Sequence, residues 1–244
     1  HTLNWCHDSF PKYENFQSVC NSIDHQKPKQ PPYNLYTPGP ALVLLPFTML
    51  GHILDKLGIF TPTMPEPLLF WSIVGSFFVF LAATLLLYKI TLLWTENKTT
   101  SWWITVFFSL GNLVLYYVFR RPLMAHAVEY FLFFLSVYFL DQTLRSNKSF
   151  LNALGLGLAA GLMTITRLND AYLIAMFVVV LWMLKKSTVS LRMQLGGLCL
   201  GMLPPILFFL MVQYFQTGSF FYQPESYNSE FTIARLLSFH WSNL

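Results

Sequence analysis

Six apolar stretches dominate the chain: Leu68–Trp94, Trp102–Phe119, Pro122–Leu140, Phe150–Thr166, Leu168–Leu184 and Gln194–Phe215. A helix needs about 20 mostly apolar residues to cross a bilayer, and each stretch comes close. Backbone groups in lipid must be paired within their own segment, so these stretches are expected to be helices. Only 11% of the residues are charged, against about 25% in a soluble domain. The expected fold is therefore all-α: a polytopic membrane protein with about six transmembrane helices. Over 150–184 two spans of barely 17 residues follow each other with almost no loop, and a single broken helix is the alternative there.

Three regions follow from this pattern: an external loop with an interfacial helix over 1–67, the transmembrane core over 68–215, and the start of a truncated external loop over 216–244. The first region is polar up to residue 37 and carries Cys6, Cys20 and the prolines Pro28, Pro31 and Pro32. The apolar run Ala41–Leu54 contains Pro46 and is too short to span, which fits a short interfacial or re-entrant helix. The chain starts at His1 and stops at Leu244 soon after a loop begins, so it reads as a piece of a longer protein.

Short connections force alternate ends onto alternate sides. One face receives Lys98, Arg145, Lys148, Lys185, Lys186 and Arg192; the other receives the N-terminal loop, Arg120, Arg121, Arg167 and the tail. The positive-inside rule makes the first face cytoplasmic, and Lys89 near the inner end of its span agrees. Cys6 and Cys20 then face an oxidising compartment, where they can bridge or remain free thiols. The sequons at Asn97 and Asn147 fall on the cytoplasmic side and are expected to be bare. Cys199, beside Gly196, Gly197 and Gly201, reads as a small packing residue. The net charge of +4 is scattered between spans and does not form the basic face of a nucleic-acid binder.

The charged residues at span ends are the candidates for function. Arg120 and Arg121 end one span and Arg167 ends another. Such arginines either snorkel to headgroups or grip an anion. His126 and Glu129 lie one helical turn apart on one face, where they either satisfy each other or face a ligand. Asp170 reads as the N-cap of a helix beginning at Ala171, and Arg167 is close enough in sequence to pair with it. No His/Cys cluster with metal-ligand spacing and no Gly-rich nucleotide loop is evident, so no cofactor is indicated beyond a possible divalent cation.

Four segments, in order, resemble the GT-C superfamily of integral-membrane glycosyltransferases. The pattern is similar to that of bacterial proteins that are like dolichyl-phosphate-mannose protein mannosyltransferases. The segments are Tyr36-Thr37-Pro38-Gly39-Pro40, Arg120-Arg121-Pro122 through His126, Gly157 through Arg167 with Asn169, and Gly218-Ser219 with Ser238-Phe239-His240. Leu168 stands where that family has proline, and Trp241 where glycine or a spacer is expected. The resemblance implies transfer of a sugar from a polyprenyl-phosphate donor to a hydroxyl of a glycan, lipid or protein acceptor. It places the site on the external face, and the protein in a bacterial inner membrane facing the periplasm.

On that resemblance Arg120, Arg121, His126 and Arg167 hold the lipid phosphate, and Tyr36, Glu129 and His240 lie on the substrate side. The family's catalytic carboxylate follows a first span that this chain lacks; Asp8 is the candidate for it here. Two other readings stay open: a polytopic transporter or lipid flippase, and a non-catalytic membrane scaffold. Transporters favour internal repeats and charges at mid-membrane, whereas the charges here gather at one face.

Overall fold

The computed structural model describes residues 38–58, 67–120, 125–145, 149–184, 191–217 and 220, and no strand occurs among them. The helices are α1 (Gly39–Lys56), α2 (Pro67–Thr95), α3 (Lys98–Leu110), α4 (Leu113–Arg120), α5 (His126–Arg145), α6 (Ser149–Thr166), α7 (Ala171–Met183) and α8 (Leu191–Thr217). A 3-10 turn, Leu168–Asp170, separates α6 from α7. The chain forms two compact units, Tyr36–Phe209 and a second made of His1–Leu35 with Leu210–Leu244. The described part of the second unit is the end of α8 and Phe220, whose ring stacks on Tyr214 at 4.7 Å.

Four described helices are long and apolar enough to cross a bilayer: Phe70–Thr95, His126–Arg145, Ser149–Thr166 and Leu191–Phe215. The stretch expected to form one span over Trp102–Phe119 is instead two helices, α3 and α4, bent by 56°. Counted together they make a fifth span. The bend has a local cause. The N–H of Gly111 closes α3 on the carbonyl of Phe107, and the Asn112 side chain accepts from the N–H of Val114 at 2.9 Å. That bond restarts the helix in a new direction. The 13 residues of α7 extend about 20 Å at 1.5 Å per residue, short of a hydrocarbon core of about 30 Å.

Helix directions follow from side-chain pairs. Phe80 stacks on Tyr130 at 5.7 Å, Lys89 donates to the Tyr138 hydroxyl at 3.0 Å, and the Trp94 indole N–H donates to Asp141 at 3.0 Å. The partners advance together, so α2 and α5 run parallel and the α3–α4 pair returns the chain between them. Helix α6 then runs antiparallel to α5: the Ser149 hydroxyl donates to the carbonyl of Thr143 at 3.1 Å, and Gly155 lies against the Phe139 ring. The last turn of α4, the start of α5 and the turn after α6 thus share one end of the unit.

Helix α8 crosses α6 at backbone distance. A Cβ on Gly157 would meet the Leu198 carbonyl, and one on Gly201 would meet the Leu154 carbonyl. Small residues permit such approach between membrane helices. Cys199 is not part of this contact; it is exposed, and the close-packed face is Gly197 and Gly201. Elsewhere large apolar side chains point outward, with Phe107 70% exposed, as expected of a surface that meets lipid rather than water.

Helix α1 packs along the first half of α2 and runs antiparallel to it. Gly51 lies against Trp71, Gly75 against Phe47, and Leu44 shares a core cluster with Val79. Its first residue reaches α6, where a Cβ on Gly39 would collide with the Thr166 backbone. The start of α1 is thereby fixed beside the residue that precedes Arg167.

Candidate functional site

The turn after α6 and the first turn of α5 form one polar cluster in the Tyr36–Phe209 unit. Helix α6 stops at Thr166, and Arg167 adopts an extended backbone (φ −145°, ψ 115°) that turns the chain. Its guanidinium reaches α5, where Nη1 donates to both carboxylate oxygens of Glu129 at 3.2 Å. Glu129 is in the first turn of α5, where a carboxylate is favoured by the unpaired N–H groups of the helix end. The His126 Nδ1 lies 3.5 Å from the Glu129 carboxylate, one turn earlier on the same helix. The His126 ring packs on Tyr117 of α4 at 4.0 Å between centroids.

Asp170 completes the cluster. It holds the position before the first residue of α7, as the N-cap reading requires, yet its side chain caps nothing. The reason is conformational. A capping residue adopts extended dihedrals that aim its oxygen at the N–H groups ahead, whereas Asp170 is helical (φ −77°, ψ −3°) as the last residue of the 3-10 turn. Its carboxyl lies near enough to Glu129 and Arg167 for both charges to act on it. Asp170 is only 6% exposed, and its Oδ2 has no donor among the described residues.

Burial and the neighbouring Glu129 charge raise the Asp170 pKa from its ordinary 3.8 to about 6, with Arg167 opposing the shift. The folded protein therefore holds this proton more tightly than the unfolded chain. Stability is expected to fall as the pH rises from about 4 to about 6 and then to level off, within the range of the Asp170 shift. Thermal unfolding in detergent across that range should show the slope, and Asp170→Asn should remove it.

The structure brings together three residues singled out in the sequence: His126, Glu129 and Arg167. Arg167 is committed to Glu129 rather than to Asp170, the partner nearer in sequence. Arg120 is the last residue of α4, one turn beyond Tyr117; it is exposed and has no ion pair among the described residues. Asp8, Tyr36, Arg121 and His240, along with Pro122, Cys6 and Cys20, lie outside the described residues. Among the described residues no group of three His, Cys, Asp or Glu side chains could hold a metal ion.

Two features were missed. The Glu129–Arg167 pair joins residues 38 apart. Its only signal was two opposite charges at span ends expected to face the same side. The contact of Gly39 with Thr166 had no signal beyond the order of the motifs.

Opposite this site, at the far ends of α2 and α5, a second polar group closes the bundle. Asp141 accepts from Trp94 and from Arg145 Nε at 2.9 Å, and Gln194 of α8 donates to Ser149 at 2.8 Å. These bonds tie helix ends together, while Asp141 Oδ2 and Gln194 Oε1 are buried with no partner among the described residues. No family model, curated protein or solved structure matches the chain.

Proposed function

We propose that the chain belongs to a lipid-dependent glycosyltransferase of the membrane. Its donor is a polyprenyl-phosphate-linked sugar and its acceptor a hydroxyl of a glycan, lipid or protein. The site faces outward, toward the periplasm if the membrane is a bacterial inner membrane. One observation carries the reading: segments far apart in sequence, each singled out by its motif, meet at one end of the helices. Gly39 packs on Thr166, Arg167 bonds Glu129, and His126 of the same turn packs on α4, which ends in Arg120.

The chemistry asks for positive charge where the phosphate leaves. Arginine keeps its charge and offers a planar fork of donors to phosphate oxygens. Arg120, with no carboxylate partner among the described residues, is better placed for this than Arg167, whose charge is already offset by Glu129. Arg121 follows it directly. The apolar surface of α4 beside Arg120, including exposed Tyr116 and Phe119, suits a lipid chain.

Alanine at both Arg120 and Arg121 in the intact protein should weaken polyprenyl-phosphate binding by about tenfold to a hundredfold, the worth of one or two charge-assisted hydrogen bonds. Expression should be unchanged. Binding that survives the double substitution counts against the reading. A transporter or flippase is the alternative that the bent α3–α4 pair favours, because broken helices line transport paths. Binding and translocation of the lipid without sugar transfer would select it.

A further inference from the structure

We infer that His126 is the base that takes the proton of the acceptor hydroxyl, through its Nε2. The inference rests on the transferase reading above and changes the part His126 plays in it, from a ligand of the lipid phosphate to a proton acceptor. The imidazole is held on two sides. Its Nδ1 lies 3.5 Å from the Glu129 carboxylate, and Glu129 is itself fixed by Arg167, whose Nη1 donates to both carboxylate oxygens at 3.2 Å. The face of the ring rests on Tyr117, 4.0 Å between centroids. Three elements therefore set one ring: α5 carries it, the turn after α6 fixes the carboxylate beside it, and α4 supports its face.

A neutral imidazole carries its hydrogen on one nitrogen only, and the group beside the ring decides which. A carboxylate accepts hydrogen bonds and has none to give, so the hydrogen belongs on Nδ1, facing Glu129. Nε2 then keeps a lone pair. It has no partner among the described residues, and the His126 side chain is 29% exposed. In this tautomer Nε2 cannot donate to a phosphate oxygen, but it can accept from a hydroxyl. Arg120 is placed for the phosphate instead. It lies three residues beyond Tyr117, and residues three apart on a helix are neighbours, about 5–6 Å between Cβ atoms. The charge for the donor and the base for the acceptor thus meet at one end of α4.

In the transfer step the acceptor oxygen bonds to C1 of the sugar while its proton passes to Nε2 of His126. The C1–O bond to the phosphate breaks, and its electron pair stays on the phosphate oxygen. The imidazolium that forms faces Glu129, whose negative charge offsets it until Nε2 releases the proton to water. His126 is the catalytic residue here. Glu129 is a positioning residue: it acts through the ring, by holding the tautomer and the charge.

The test uses the intact protein with a polyprenyl-phosphate sugar donor and reads three quantities: donor binding, kcat, and the nitrogen NMR shifts of 15N-labelled histidine. The shifts tell which ring nitrogen of a neutral histidine carries the hydrogen. His126 in the wild type should carry it on Nδ1. In Glu129→Gln the Arg167 donor takes the amide oxygen and leaves the NH2 group against Nδ1, so the hydrogen should move to Nε2. The histidine whose shifts change in that variant is His126, so the reading needs no variant of His126 itself. His126→Gln should lower kcat by about a hundredfold or more with donor affinity unchanged. Glu129→Gln should lower kcat as well, and Glu129→Asp, which keeps a carboxylate, should recover part of that loss. A hydrogen on Nε2 in the wild type, no histidine that responds to Glu129→Gln, normal kcat in His126→Gln, or an equal loss of donor binding there overturns the inference and leaves the transferase reading standing. A wild-type protein that binds the donor without transferring sugar overturns that reading, whichever nitrogen carries the hydrogen.

Discussion

Gly201→Leu is expected to abolish assembly of the helical core. The Gly201 Cα lies so close to α6 that even a methyl group would overlap the Leu154 carbonyl and crowd the Leu158 N–H. These are backbone atoms of a hydrogen-bonded helix and cannot swing aside like a side chain. The helices would have to separate, which exposes the Leu156, Met163 and Leu198 cluster between them. Overpacking typically costs about 1–3 kcal/mol and occasionally more, and a leucine against backbone belongs at or above the upper end. Gly157→Leu should behave alike, since its Cβ would strike the Leu198 carbonyl. Gly196→Leu is the control, because a Cβ there has open space. Yield of folded protein in detergent and the midpoint of thermal unfolding separate the three. If Gly201→Leu matches Gly196→Leu, the close α6–α8 crossing is not present in solution.

Arg167→Ala should leave the helices assembled and disable the site. Its ion pair with Glu129 is nearly half exposed on the arginine side, at 45%, so the stability lost is about 1 kcal/mol or less. The chemical effect is larger. Arg167 opposes the upward shift of Asp170, so its removal should raise the Asp170 pKa further. Glu129 would lose the guanidinium that bonds both of its oxygens, and the turn after α6 its tie to α5. On the transferase reading proposed above, donor binding and sugar transfer should fall by about tenfold or more, the worth of one or two charge-assisted hydrogen bonds. Arg167→Lys keeps the charge but loses the fork that spans both oxygens; it should retain more activity than alanine. Full activity of Arg167→Ala at neutral pH would remove Arg167 from the site.

The helical class was legible in the sequence because lipid leaves the backbone few options. Apolar runs near 20 residues forecast α2, α5, α6 and α8, and the boundary at Thr166 was met to the residue. The Gly111 bend was less legible. Apolar content continues through it, and the break depends on one asparagine side chain that rivals the helix for its own backbone. Helix α1 shows the same limit. A helix was readable there, expected over Ala41–Leu54 with an interfacial or re-entrant placement; the structure extends it to Gly39–Lys56 and shows it packed antiparallel on α2, through contacts such as Gly51 on Trp71.

The candidate site divides along similar lines. His126 with Glu129 followed from helical spacing, since residues three apart share a face. Arg167 with Glu129 did not, and the nearer carboxylate at Asp170 was the natural guess. Sequence alone determined that this chain forms membrane-length helices and that charges collect where they end, because both follow from local composition and the cost of unpaired polar groups in lipid. Tertiary structure decided which of those charges meet. The antiparallel return of α6 along α5 carries Arg167 to Glu129 across 38 residues, and the 3-10 turn holds Asp170 in a helical conformation that cannot cap its own helix. Pairing of that kind depends on helix packing and backbone dihedrals, which no local pattern of residues encodes.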